Sequence, residues 1–154
     1  MLSPGTRAPA FRLCDQHGKK RSLKEFLRQG PLILYFYPAD FTPGCTKEAC
    51  TFRDLHSDIQ RAGLQVVGVS PQSPESHTRF SEKYHLPFTL LSDEDKVVIR
   101  KYGVDGLLGF GVRRATFLVD ESGTIEDAVL ADFMISSHEG FVRKAAALKQ
   151  RRSG

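Results

Sequence analysis

The chain has 154 residues, 40% hydrophobic and 26% charged, with a formal net charge of +4 and a pI near 9.1. That length suits one domain, residues 1–154, able to bury most of the surface its unfolded form exposes without disulfide staples. Apolar runs of a few residues fall far short of the roughly 20 needed to cross a bilayer, so no membrane segment is expected. The basic clusters Lys19-Lys20-Arg21 and Lys149-Gln150-Arg151-Arg152 lack interleaved aromatics and read as a solvated turn and a frayed terminus, which argues against nucleic-acid binding. Three cysteines, Cys14, Cys45 and Cys50, are too few and too unevenly placed for a secreted scaffold, and no N-terminal segment resembles a signal peptide. A reducing compartment, the cytoplasm, is expected.

Residues 1–7 read as an irregular lead-in. Phe11-Arg12-Leu13 alternates like a strand that ends at Cys14, a small packing residue, and Asp15-Gln16-His17-Gly18 reads as a hairpin turn. Ser22 and Glu25 form a capping box for a helix over 23–28, stopped by Gly30. The run Leu32–Tyr37 is apolar on both faces, as a central covered strand requires. Ala49, Phe52, Leu55, Ile59 and Ala62 then recur at helical steps from Cys45 until Gly63.

Further on, the pattern predicts a strand over 64–70, a helix from Ser73-Pro74 to about His85, a strand over 88–91 and a helix over 94–102 capped by Asp93. Gly103–Gly111 reads as a mobile loop; it lacks the Lys-Ser/Thr ending and the strand-to-helix setting of a phosphate-binding loop. Strands over 116–120 and 124–129 flank the turn Glu121-Ser122-Gly123, and Ser136 with Glu139 boxes a last helix to about Lys149. Alternating strands and helices predict an α/β fold, a sheet with helices on both faces. His17, His77, His85 and His138 lie in polar or capping contexts and read as exposed.

The chemistry concentrates where the strand Leu32–Tyr37 hands over to the following helix. Thr42 can cap that helix, Pro43 suits its first position, and Cys45 lies in the first turn, where free N–H groups and the helix dipole favour a thiolate. An ordinary thiol with pKa about 8.5 is only about 3% ionised at pH 7, so complete ionisation raises reactivity at most about 30-fold. A fast site must also place donors on the oxygens where charge develops. Thr42, the N–H groups near Gly44 and Cys45, and a cation from elsewhere in the chain are candidates.

The thirteen-residue run Pro38-Ala39-Asp40-Phe41-Thr42-Pro43-Gly44-Cys45-Thr46-Lys47-Glu48-Ala49-Cys50 resembles the active-site segment of the peroxiredoxins, in particular the PrxQ or bacterioferritin-comigratory-protein subfamily. The likeness extends from Gly5-Thr6-Arg7-Ala8-Pro9-Ala10-Phe11 to Arg114-Ala115-Thr116-Phe117-Leu118-Val119-Asp120. It implies a thioredoxin-like fold with a central mixed sheet, a monomer or weak dimer, no cofactor or metal, and reduction of hydrogen peroxide and organic hydroperoxides. By the same likeness Cys45 is the peroxidatic cysteine, Pro38 shields its sulfur, the Thr42 hydroxyl contacts peroxide, and Arg114 supports thiolate and transition state. Glu48 resembles the acid that orients this arginine; by itself it reads equally as a solvated first-turn carboxylate. Cys50 matches a resolving cysteine whose disulfide with Cys45 is reduced by thioredoxin or a similar dithiol donor. On an intact helix a five-residue separation leaves the two Cα atoms about 8.6 Å apart, beyond the roughly 7 Å limit for a disulfide, so the first turns must unwind.

Other readings of the same residues stay open. Cys50 can be a small buried residue, with Cys14 or an outside thiol resolving. A thioredoxin-like disulfide reductase would want Cys-x-x-Cys, whereas this chain has four residues between Cys45 and Cys50. A thiol-based redox sensor would need no turnover, and a metal site from Cys45, Cys50 and His56 would have its ligands badly separated by a helix.

Overall fold

The computed structural model describes residues 1–130 together with Arg143 and Ala145. Apart from those two positions, the helix expected from Ser136 to Lys149 lies outside the described residues, as does His138. In chain order the elements are β1 (Arg12–Asp15), β2 (Lys20–Ser22), α1 (Leu23–Leu27), β3 (Leu32–Phe36), α2 (Pro43–Arg61), β4 (Gln65–Ser70), α3 (Pro74–Tyr84), β5 (Thr89–Ser92), α4 (Val97–Lys101), β6 (Ala115–Val119) and β7 (Ile125–Leu130). Among the described residues no helix is long and apolar enough to cross a membrane.

The strands form one seven-stranded sheet in the order β2-β1-β5-β4-β3-β6-β7. It is mixed: β3, β4 and β5 run parallel, while β6 lies antiparallel to β3, and β1 antiparallel to β5. All five β3 residues are buried, and their alternation splits the core into two layers. Ile33 and Tyr35 join Phe52, Leu55 and Ile59 of α2 and Phe80 of α3 on one face. Leu32, Leu34 and Phe36 join Phe26 of α1 and Val98 and Ile99 of α4 on the other. An uninterrupted apolar strand therefore becomes the middle of a sheet covered on both faces, as its sequence predicts.

Several boundaries differ from the sequence expectation for local physical reasons. Lys20–Ser22, within a cluster read as a solvated turn, is a strand paired to β1 with Cys14 opposite Lys20; lysine and arginine are tolerated there because the strand is an edge. Asp93 does cap α4, but from further back. Its Oδ2 accepts from the Ile99 N–H at 2.7 Å, and a turn closed by Lys96 N–H on Asp93 O, with Lys96 at φ 60°, delays the helix to Val97. The loop 103–111 is drawn together by Gly106 N–H on Gly111 O and by Lys96 Nζ on Gly109 O, and it presents Leu107, Leu108 and Phe110 to solvent.

One close approach fixes the height of α2 over the sheet. Tyr35 faces Gly68 across the β3–β4 pair, and a Cβ at Gly68 would lie 2.7 Å from Tyr35 Cζ and 2.9 Å from Leu90 Cδ2. The missing side chain lets the Tyr35 ring lie low, where it meets the Phe52 ring of α2 at 4.5 Å between centroids. Gly68→Ala should overpack this layer and cost about 1–3 kcal/mol. A urea titration should show a lower midpoint with an unchanged slope; an unchanged midpoint would mean the ring is free to shift.

Candidate active site

The chain leaves β3 at Phe36, Tyr37 N–H still bonds Val69 O at 3.0 Å, and a five-residue loop, 38–42, then turns into α2. Thr42 occupies the N-cap position with extended backbone, and its carbonyl accepts the first helical bond from Thr46 N–H at 2.8 Å. The expected side-chain cap is absent: the Thr42 hydroxyl donates to Ala39 O at 3.1 Å instead. Neither the Gly44 nor the Cys45 N–H is therefore taken up by that side chain, and both remain at the helix start beside the sulfur. Pro38 is half-buried and Thr42 is exposed, while Cys45 is buried on the inner face of α2.

Arg114 reaches the same place from the other side of the sheet's centre. Antiparallel pairing sets Ala115 opposite Phe36, so the residue before β6 lies beside the loop leaving β3. Arg114 Nη1 donates to Glu48 Oε1 at 2.9 Å, and Nη2 donates to Cys45 Sγ at 3.4 Å. Glu48 lies three residues after Cys45, on the same helix face, and is 1% exposed. The alternative of a solvated first-turn acid is thereby excluded. Burial works against the Arg114 charge, but the adjacent Glu48 carboxylate and Cys45 outweigh it, and the guanidinium is held more firmly protonated than usual.

Cys50 is half-buried and lies on the same uninterrupted helix as Cys45, with both thiols free. Cys14, in β1, is also free, but β5 and β4 intervene between its strand and β3. Three strand spacings amount to about 14 Å, which takes Cys14 out of direct reach of the site.

A buried polar network beside the loop has no counterpart in the sequence expectations. His77, read as exposed, is 0% exposed on α3. Its Nδ1 lies 2.7 Å from Asp40 Oδ2, and its Nε2 lies 3.1 Å from Leu91 O. Both ring nitrogens thus face oxygen partners, and the Tyr37 hydroxyl lies a further 3.4 Å from Nδ1. Ser76 Oγ donates to the same Oδ2 at 2.7 Å, and the Tyr37 hydroxyl donates to Oδ1 at 2.6 Å. Burial, with Tyr35 and Asp40 close by, pushes the Tyr37 hydroxyl well above its ordinary range and keeps it a donor. A signal for His77 did exist: it shares the inward helical face with Phe80 and Tyr84, three and seven residues on.

A buried thiol in the first turn of a helix, contacted by a buried arginine on a mixed sheet, fits a thioredoxin-like thiol protein. The AhpC/TSA family model matches residues 4–128, and the chain belongs to that family. A putative peroxiredoxin bcp of Coxiella burnetii is 46% identical over 143 residues, covering 89% of this chain and 93% of that protein. The chloroplastic peroxiredoxin Q of Gentiana triflora is 48% identical over 126 residues, which are 81% of this chain but only 58% of that longer protein. Among solved structures, peroxidoxin BcpB of Mycobacterium tuberculosis superimposes with a TM-score of 0.90 at 35% identity, over 96% of this chain and 98% of that one. A Xanthomonas campestris bacterioferritin comigratory protein studied for alkyl peroxide reduction follows with a TM-score of 0.84 at 29% identity, over 97% and 98%. These likenesses carry the peroxiredoxin Q and bcp assignment and the thioredoxin-like fold.

The buried pair makes a stability difference measurable. Arg114→Ala removes the Nη1 bond to the buried Glu48 and should cost about 3–5 kcal/mol, whereas Glu48→Gln keeps an acceptor of the same shape and should cost less. Equal urea midpoints for the two variants would mean that water reaches Glu48 and compensates the loss.

Proposed function

We propose that this chain is a thiol peroxidase for hydrogen peroxide and organic hydroperoxides. The observation that carries the proposal is the contact from Arg114 Nη2 to Cys45 Sγ, 3.4 Å, at the first turn of α2. The Cys45 thiolate attacks one peroxide oxygen, the S–O bond forms as the O–O bond breaks, and water or an alcohol leaves with the second oxygen. Sulfur is oxidised by two electrons to a sulfenic acid, and the peroxide is reduced by the same two.

Each neighbouring group has a part in that step. Arg114 steadies the thiolate and the charge developing on oxygen, and Glu48 aims it through the other arm of the guanidinium. The Gly44 and Cys45 N–H groups face the same oxygens, and the exposed Thr42 hydroxyl, whose hydrogen goes to Ala39 O, offers its oxygen as an acceptor for the peroxide O–H. Pro38 covers the sulfur from the loop side. The Cys50 thiol then attacks the oxidised sulfur, an S–S bond forms, the S–O bond breaks, and water leaves. A dithiol donor such as thioredoxin returns the disulfide to two thiols while its own pair is oxidised. A reducing cytoplasm suits a cycle that ends in such an exchange, and a monomer or weak dimer would leave the helix start open to the donor.

The decisive experiment is peroxide consumption coupled to thioredoxin and its reductase. Cys45→Ser should abolish turnover, and normal turnover in that variant would remove the assignment. Cys50→Ser should consume one equivalent of peroxide, leave a sulfenic acid that dimedone traps, and then stall. Unimpaired cycling would assign resolution to an outside thiol. Arg114→Lys keeps the charge but loses the fork that spans Glu48 and Cys45, and should slow Cys45 oxidation about 100-fold or more. Rapid-mixing oxidation rates measure this, and a wild-type rate would show that charge alone suffices.

A further inference from the structure

Asp40 stands two residues before the Thr42 cap position, is fully buried at its side chain, and takes no part in the thiol chemistry. Its carboxyl is gripped from three directions: by Tyr37 at 2.6 Å, and by Ser76 and His77 at 2.7 Å each. Ser76 and His77 belong to α3, and His77 also reaches Leu91 of β5, itself paired with Val69 and Asp15. The loop is thereby tied to the sheet as well as to a helix.

The next residue, Phe41, has φ 67°, a left-handed conformation that a bulky side chain keeps only where its surroundings impose it. Here α3 imposes it on both sides. Asp40 is bound to Ser76 and His77, and the Phe41 ring packs on Phe80 at 5.2 Å and Tyr84 at 6.5 Å. Phe41 is itself 42% exposed, and Thr42 and Pro43 after it are exposed as well.

We propose that Asp40 and His77 are a positioning pair, a latch that holds the start of α2 closed around Cys45 and whose strength sets how readily its first turns open for Cys50. The inference rests on the assignment of Cys50 as the resolving thiol. With the latch shut, the Gly44 and Cys45 N–H groups and Arg114 stay gathered on the sulfur for S–O bond formation. With it open, Cys50 attacks, the S–S bond forms, and water departs. Weakening the latch slows the first step and speeds the second.

The test uses the full reduced chain. His77→Leu fills the volume without hydrogen bonds, His77→Asn keeps a donor for Asp40, and Ser76→Ala removes one bond from a half-exposed position. Hydrogen exchange read by mass spectrometry, without peroxide, should show residues 43–50 exchanging about tenfold faster in His77→Leu, the amount carried by one charge-assisted hydrogen bond. The β3 and β6 amides should be unchanged, His77→Asn should restore most of the protection, and Ser76→Ala should fall between. Rapid mixing with hydrogen peroxide followed by dimedone should show slower sulfenic acid formation and faster disulfide formation in His77→Leu. Wild-type exchange over 43–50 in both His77→Leu and Ser76→Ala would overturn the proposal. So would exchange raised uniformly across the sheet, which would make His77 an ordinary core residue. If His77→Leu does not fold, Ser76→Ala and His77→Asn decide by the same exchange pattern. Absence of a Cys45–Cys50 disulfide in the wild-type chain would instead remove the resolving assignment, and the exchange measurement would still decide the latch.

Discussion

The guanidinium of Arg114, with one nitrogen on Glu48 and another on Cys45, is the contact on which the geometry of the site depends. It joins the residue before β6 to the first turns of α2, elements 66 to 69 residues apart in sequence. Only the antiparallel register of β6 on β3 makes them neighbours. Burying a cation at this position is tolerable because Glu48 is buried beside it, and burying Glu48 is tolerable for the converse reason. The planar fork also fixes direction: with one arm committed to the carboxylate, the other can point only along a narrow range, and Cys45 lies in it.

Along α2 the means of attachment changes. From Ala49 onward the inner face is apolar, with Phe52, Leu55 and Ile59 seated on Tyr35, Ile33 and their neighbours. Before Ala49 the buried residues are Cys45 and Glu48, held by Arg114, and the chain entering them is held through Asp40 and Phe41. The first turns can therefore loosen while the hydrophobic seat of the helix stays intact. Local opening at a cost below that of global unfolding needs such a division between polar and apolar attachment.

What could be read from the sequence follows from how local each signal is. The apolar run of β3, the helical period of α2 and the capping box at Ser22 and Glu25 are carried by residues within a few positions of one another, and all three stand in the fold. The edge strand Lys20–Ser22 has no period to detect, because three polar residues, two of them charged, are made a strand by pairing with β1 alone. Arg114 and Glu48 were legible only by resemblance, since no local pattern announces a partner on another strand. Asp40 stood in full view inside the motif, yet its role depends on His77, 37 residues away. That histidine reads as exposed from its polar context, yet its helical spacing to Phe80 and Tyr84 sets it on the buried face.

The requirement on the start of α2 is quantitative. If Cys45 and Cys50 are to meet, the closed form must predominate while peroxide is sought, yet each further 1.4 kcal/mol of preference for it lowers the open population tenfold. Hydrogen bonds to an isolated loop residue suit this task better than a wide apolar contact, because each adds a modest increment and all are released together. The left-handed Phe41 acts in the opposite sense, since its unfavourable φ, of order 1–2 kcal/mol, is relieved when the loop lets go. On the proposed latch, the balance between the grip on Asp40 and the strain at Phe41 would set the closed population from outside the contacts of Cys45, so the donors around that sulfur would not also have to fix how often the helix opens.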